Sequence, residues 1–193
     1  MAKKAIVLLA DGFEDVEAIT PIDYLRRAGI EVTTVSISEN LTVTSRWGQI
    51  KVTAETTLAQ IAGQSNWDAV IVPGGMPGAA NLSASKETAL LLKEMSSAGK
   101  VICAICASPA VVLSPLGLLD GKNFTCYPGM EEKVTTGKWS GERVVTDGNI
   151  ITSRGAGTAG EFAIAIINKL LDEATGRKIA EAVLLLPSCC ISG

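Results

Sequence analysis

Residues Val101-Ile102-Cys103-Ala104-Ile105-Cys106-Ala107-Ser108-Pro109 decide the architecture. An apolar run that ends in small residues and a proline describes a buried strand turning into a helix, because proline fits the first helical turn. The charge-free stretch extends over 101–119, nominally enough to cross a bilayer. Ser108, Pro109, Ser114, Pro115 and Gly117 interrupt it. A spanning helix would have to accommodate both prolines, whereas a strand followed by a buried helix start explains them.

Outward from this segment the same alternation recurs. Short apolar runs at 5–10, 32–37, 69–72, 101–105 and 150–153 read as strands. Stretches at 14–28, 85–98 and 159–171, with another beginning near Ala107, read as helices. Residues 144–146 and 150–152, joined through Asp147-Gly148, read as an inserted hairpin. This order predicts an α/β fold with a doubly wound, flavodoxin-like parallel sheet and helices on both faces. With 193 residues and no linker, one domain is expected over 1–186, followed by a flexible C-terminal tail at 187–193.

Composition narrows the chemistry. The chain has no histidine, which excludes Ser-His-Asp and Cys-His triads, His-ligated zinc and imidazole proton shuttles. A net charge of −3 lacks the basic surplus that an obligate nucleic-acid partner requires. Five cysteines without metal-cluster or disulfide-framework spacing point to a reducing, cytoplasmic setting, with no metal and no cofactor. Lys3-Lys4 and the apolar run after them imitate a signal peptide, but Asp11-Gly12 cuts the run short, so it reads as a first strand. The final Cys190-Ile191-Ser192-Gly193 lacks a proper prenylation pattern. Sequons at Asn40, Asn81 and Asn123 matter only in a secreted chain.

In doubly wound sheets ligands bind at the carboxyl ends of strands. Three such ends are distinctive: Asp11 to Glu17, Pro73-Gly74-Gly75-Met76-Pro77-Gly78, and Cys106-Ala107-Ser108. The last has the form of a nucleophile elbow, and a thiol at a helix N-terminus is expected below its ordinary pKa. A packed core cysteine is the competing reading. Cys103 and Cys106 form a C-x-x-C pair, but the strand pleat would aim the two sulfurs apart, and Cys103 and Cys126 read as packing. At 100° per residue Glu14 and Glu17 fall in the apolar sector of the first helix. A buried glutamate holds its proton and can hydrogen-bond a neighbouring thiolate. An N-terminal glutamate can instead serve the helix dipole, which suits Glu14 better than Glu17. Val16 and Ile19 fall among the charges, a small apolar patch that suggests a homodimer through this helix.

These residues coincide with a known pattern. Leu9 to Glu17 with Arg26-Arg27-Ala28-Gly29, Val72-Pro73-Gly74-Gly75, Ala104-Ile105-Cys106-Ala107, and Thr152-Ser153-Arg154-Gly155 before Glu161-Phe162-Ala163 appear in order. In them the chain resembles the ThiJ/PfpI superfamily, within it the branch of Parkinson disease protein 7-like deglycases. The resemblance implies Cys106 as reactive thiolate, Glu17 as the protonated carboxyl beside it, and Gly75 and Ala107 amides as an oxyanion site with Gly74 adjacent. It implies a dimer contact through Val16, Ile19 and Arg27. Where many relatives carry a histidine near the nucleophile, this chain has Tyr127, a poor base at neutral pH that can still donate a hydrogen bond. Peptidase activity is therefore not expected.

The expected function is cofactor-free conversion of a reactive dicarbonyl such as methylglyoxal, free or as an early adduct on an amine, with Cys106 attacking and Glu17 moving protons. Glu14 and Arg46 are candidate substrate-binding side chains. The alternative is a redox sensor or chaperone in which Cys106 oxidises to a sulfinate without turnover.

Overall fold

Eleven strands and five α-helices make up the chain in a computed structural model that describes residues 2–47 and 49–185, and the long strands among them follow the predicted order. The strands are β1 (Lys4–Leu9), β2 (Glu31–Ser36), β3 (Thr42–Thr44), β4 (Lys51–Thr53), β5 (Thr56–Thr57), β6 (Ala69–Val72), β7 (Val101–Ile105), β8 (Asn123–Phe124), β9 (Lys138–Trp139), β10 (Val144–Asp147) and β11 (Ile150–Ser153). The helices are α1 (Asp15–Arg27), α2 (Gly78–Ala84), α3 (Lys86–Ser97), α4 (Ala159–Leu170) and α5 (Glu173–Ala182). The predicted tail and the Cys189-Cys190 pair lie outside the described residues.

The main sheet runs β10-β11-β7-β6-β1-β2-β5, and its pairs are parallel except β10 against β11. Its five long parallel strands stand in the order second, first, third, fourth, fifth along the chain, the flavodoxin-like arrangement. Strand pleating divides the core into two layers. Ala5, Val7, Leu9, Ile71 and Ile105 pack with Leu25 of α1 and Phe162 of α4. Ile6, Leu8, Val70, Ile102 and Ala104 pack with Leu82 of α2 and Leu92 of α3. Both faces are therefore dry, which is why these strands read as continuous apolar runs rather than as alternating ones. Among the described residues no helix is long and apolar enough to cross a membrane.

The hairpin at Asp147-Gly148 forms as predicted, with Gly148 at φ 62°. The helix predicted to begin near Ala107 departs from expectation. It widens into a π turn at Pro109–Leu113 and tightens into a 3-10 turn at Ser114–Leu116. Pro115 has no N–H to donate to the Val111 carbonyl, so a regular ladder cannot continue there. The β3–β4 hairpin, the edge strand β5, the short β8–β9 pair, α2 and α5 are not predicted by the sequence pattern. Each is short or lacks a clear period, and α5 starts from an Asp172 cap that accepts from the Thr175 amide at 2.7 Å.

This topology gathers the ends of β1, β6, β7 and β11 on one edge. The sheet changes winding direction between β1 and β6, since α1 covers one face and α3 the other. The crevice at such a switch point is where a ligand finds chain ends from two directions.

Candidate active site

Cys106 follows the last residue of β7 and adopts φ 63°, a left-handed conformation that a non-glycine side chain occupies only when its surroundings hold it there. Its backbone is held on both sides. The Cys106 amide donates to the Ser153 carbonyl at 2.9 Å, and the Tyr127 amide donates to the Cys106 carbonyl at 2.8 Å. Below the bend, the buried Ser108 hydroxyl donates to the Pro73 carbonyl at 2.6 Å and ties the loop after β7 to the loop after β6. The bend is thus the predicted elbow, built by tertiary hydrogen bonds.

Glu17 arrives from the first turn of α1. Glu14 caps that helix, its Oε2 accepting from the Glu17 amide at 2.8 Å. The cap turns the Glu17 side chain inward, where it is 1 % exposed. There Oε2 accepts from the Gly74 amide at 2.9 Å, and the carboxyl faces the Ala156 amide and the Cys106 thiol. Gly74 makes this approach possible. A Cβ on it would sit 2.6 Å from both Cys106 Cβ and Glu17 Oε2. Gly75 is required for a second reason, its φ of 88° and a Cβ direction that runs into the Glu14 amide at 2.6 Å.

Burial raises the Glu17 pKa to about 7, with the Glu14 charge adding to the rise and the bonds from Cys106, Gly74 and Ala156 opposing it. The Cys106 thiol departs from the sequence expectation. It is pushed up, not down, to about 12, by burial first, then by the charge of Glu17 and by the hydrogen bond to it. Amides of Gly75 and Ala107 face the sulfur and act the other way, without offsetting the burial. The expected depression rests on the amides at the elbow, and burial together with the Glu17 charge outweighs them. The two groups are one coupled acid: between about 7 and about 12 they share a single proton. With the proton on Glu17 the sulfur is a thiolate facing two amides. With it on Cys106 the site rests as thiol and carboxylate.

Above the pair opens a cleft of about 480 Å³, lined by Glu14, Arg46, Trp47, Met76, Tyr127 and Met130 among others. The structure thus brings Cys106, Glu17, Glu14, Gly75, Ala107, Arg46 and Tyr127 to one place. Tyr127 stands at the rim, 52 % exposed. Arg46 lies over the Trp47 ring at 4.3 Å, and among the described residues it forms no ion pair. The β3–β4 hairpin delivers both, docked through the Gly12 amide to the Thr44 carbonyl at 2.8 Å and the Arg46 amide to the Phe13 carbonyl at 2.9 Å. Trp47, Met76, Met130 and Ala156 were missed in the sequence. Only the Arg46-Trp47 pair gave a usable signal, a cation beside a large aromatic in a loop. Cys103 and Cys126 are fully buried packing residues, as expected. Val16, Ile19 and Arg27 lie away from the cleft lining, exposed on α1, with Arg27 bonded to Asp23 at 2.8 Å. Among the described residues no three metal-ligating side chains converge.

The shared proton has two measurable consequences. An unfolded chain releases the Glu17 proton near 4.5, while the folded pair keeps it to about 7, so folding stability falls as pH rises through that window. Relative to Glu17→Gln, the wild type should lose about 2–3 kcal/mol between pH 5 and pH 8 in urea unfolding, at about 1.4 kcal/mol per pKa unit. If the amides hold the thiolate form, alkylation of Cys106 by iodoacetamide should rise through about pH 7 and stay flat from 8 to 9. A rate still climbing tenfold per pH unit at 9 would mean that the proton remains on sulfur.

Residues 3–169 match the model of the DJ-1/PfpI family. The Parkinson disease protein 7 homolog of Danio rerio is 37% identical over 187 residues, covering 95% of this chain and 97% of that protein. The Arabidopsis thaliana DJ-1 homolog B is 38% identical over 93% of this chain, which spans only 41% of that longer protein. A Caenorhabditis elegans protein named glutathione-independent glyoxalase DJR-1.2 is 33% identical over 87% of this chain and 89% of its own length. The crystal structure of Drosophila melanogaster DJ-1beta superposes with a TM-score of 0.92 at 38% identity, covering 97% of this chain and 100% of that one. By sequence over most of its length and by fold, the chain belongs to the DJ-1/PfpI family.

Proposed function

We propose that the protein is a cofactor-independent, cysteine-dependent enzyme acting on reactive dicarbonyls, of the glyoxalase or deglycase type. The observation that carries the reading is the buried Glu17 carboxyl set beside a left-handed Cys106, with only Gly74 between them, at the floor of an open cleft. Kinship with a protein named as a glyoxalase supports it.

In this reading the Cys106 thiolate adds to the aldehyde carbon of methylglyoxal, a C–S bond forms, and the carbonyl electron pair becomes an oxyanion. The Gly75 and Ala107 amides hold that oxyanion until Glu17 delivers its proton. Glu17, now a carboxylate, takes the proton from the former aldehyde carbon, and a proton returns to the neighbouring ketone carbon. One carbon is oxidised and its neighbour reduced within the same molecule, so no external oxidant is needed. Water then cleaves the C–S bond and releases lactate with the thiol restored. An amine adduct of the same dicarbonyl would first collapse, its hydroxyl losing a proton and its nitrogen gaining one, to free the amine and restore the aldehyde, which then enters by the same attack. A glutamate near 7 suits both halves of this task, since a proton carrier works best when its pKa lies near the ambient pH. Glu14 and Arg46 line the same cleft and would contact a bulkier substrate such as the amine adduct, to which Tyr127 at the rim would donate a hydrogen bond.

A sensor role draws on the same atoms, because the amides that would hold an oxyanion would equally hold the oxygens of a Cys106 sulfinate. Lactate formation from methylglyoxal, set beside mass spectrometry after mild peroxide, separates the two. The enzyme reading expects turnover that falls at least about 10²-fold in Cys106→Ser and in Glu17→Gln. Wild-type rates in either variant end it, and selective oxidation of Cys106 without turnover favours the sensor.

The protein would act as a homodimer. Val16 and Ile19 expose 46% and 41% of their surface on α1 beside Arg27, an apolar patch without cover in a single copy. Sedimentation at micromolar concentration should show twice the 20.0 kDa chain mass, and Ile19→Lys should return a monomer. A monomeric wild type would remove the dimer.

A further inference from the structure

The rim of the cleft carries a feature that a three-carbon substrate leaves unused. Trp47, Tyr127 and Met76 are 70%, 52% and 39% exposed, and with Met130 they border the same opening. They come from separate parts of the chain: the loop after β3, the loop after β6, and the segment after β8. Their convergence is therefore a property of the fold. Exposed large apolar side chains gathered on one concave surface mark a ligand contact more often than an accident of packing. The Trp47 indole is held in place by the Arg46 guanidinium over its ring, which limits the freedom an exposed tryptophan otherwise has.

Size points the same way. A cleft of about 480 Å³ lies within the roughly 300–1,000 Å³ range of sites that take drug-sized molecules. Methylglyoxal reaching Cys106 would occupy the floor and leave the rim in water. Charge argues against filling the remainder with an acidic group: Glu14 borders the same cleft, and Glu17 lies at its base. Arg46 is the one cation of the lining, and its face is already turned to Trp47.

We propose that Trp47, Met76, Tyr127 and Met130 form an apolar wall that selects 2-oxoaldehydes bearing an aromatic or bulky apolar substituent on the ketone carbon. The inference rests on the dicarbonyl reading of Cys106 and assigns its substrate class. Phenylglyoxal is the simplest probe. The thiolate adds to its aldehyde carbon as before, the same internal oxidation and reduction follows, and water releases mandelate.

Two measurements on the full chain test it. In the first, Cys106 is alkylated with N-phenyl-iodoacetamide and with iodoacetamide, each rate divided by that of free N-acetylcysteine. The wild type should favour the aryl reagent by about tenfold, and Trp47→Ala combined with Met130→Ala should bring the ratio within about twofold of unity. In the second, kcat/KM is measured for phenylglyoxal and methylglyoxal, with glyoxylate, which has an aldehyde but no ketone carbon to reduce, added as a competitive inhibitor. The phenyl-to-methyl ratio should fall by about tenfold or more in the double variant. Trp47→Ala alone, at a 70% exposed position outside the core, keeps the test valid if the double variant folds poorly. An aryl preference in alkylation with no turnover of any probe upholds the wall and overturns the glyoxalase reading. Turnover with both ratios unchanged by the substitutions upholds the enzyme and overturns the wall. Inhibition by glyoxylate at concentrations below the KM for phenylglyoxal also overturns it, by assigning the rim to Arg46 as an anion receptor.

Discussion

A carboxyl and a thiol share one proton in a place from which water is largely excluded, and the rest of the site follows from that constraint. Neither group can ionise freely there, so their charges are coupled and the proton passes between them. The coupling needs the two side chains in contact. Contact in turn needs Gly74, because any side chain at that position would stand between Cys106 and Glu17. The Gly74 amide then becomes a third partner by donating to the Glu17 carboxyl at 2.9 Å.

The fold supplies what this pair requires by bringing chain ends together where the sheet reverses its winding. Glu17 comes from the first turn of α1, Gly74 and Gly75 from the loop after β6, Cys106 from the end of β7, and Ala156 from the loop after β11. None is close to another partner in sequence, yet a parallel sheet places all four loops on one edge. The same edge leaves the sulfur reachable, since a cleft rather than a closed cavity lies above it. A buried thiol without that opening would be inert, as Cys103 is, fully enclosed and raised in pKa by burial alone.

The elbow at Cys106 shows how local sequence and tertiary bonding divide the work. Small residues at 104, 107 and 108 permit a sharp turn, but permission does not choose φ 63°. Backbone bonds to Ser153 and from Tyr127 fix that value from outside the segment. Tyr127, whose amide makes one of these bonds, keeps its own side chain at the rim of the cleft, 52% exposed.

The sequence by itself determined the long strands of the sheet, the position of the elbow and the inward face of α1 that carries Glu14 and Glu17. Strands at 69–72, 101–105 and 150–153 were legible to the residue, because both of their faces are buried and each residue there is apolar or small. Helical spacing put both Glu14 and Glu17 on the apolar face of α1, and the family resemblance singled out Glu17. What only the tertiary structure decided was the direction of the thiol pKa and the walls of the cleft. Burial depends on atoms distant in the chain, and it outweighs the local amides that a reading of the elbow brings to mind. Trp47 and Met130 reach the opening through a hairpin and a loop whose own patterns are too short to predict, and only packing puts them beside the sulfur.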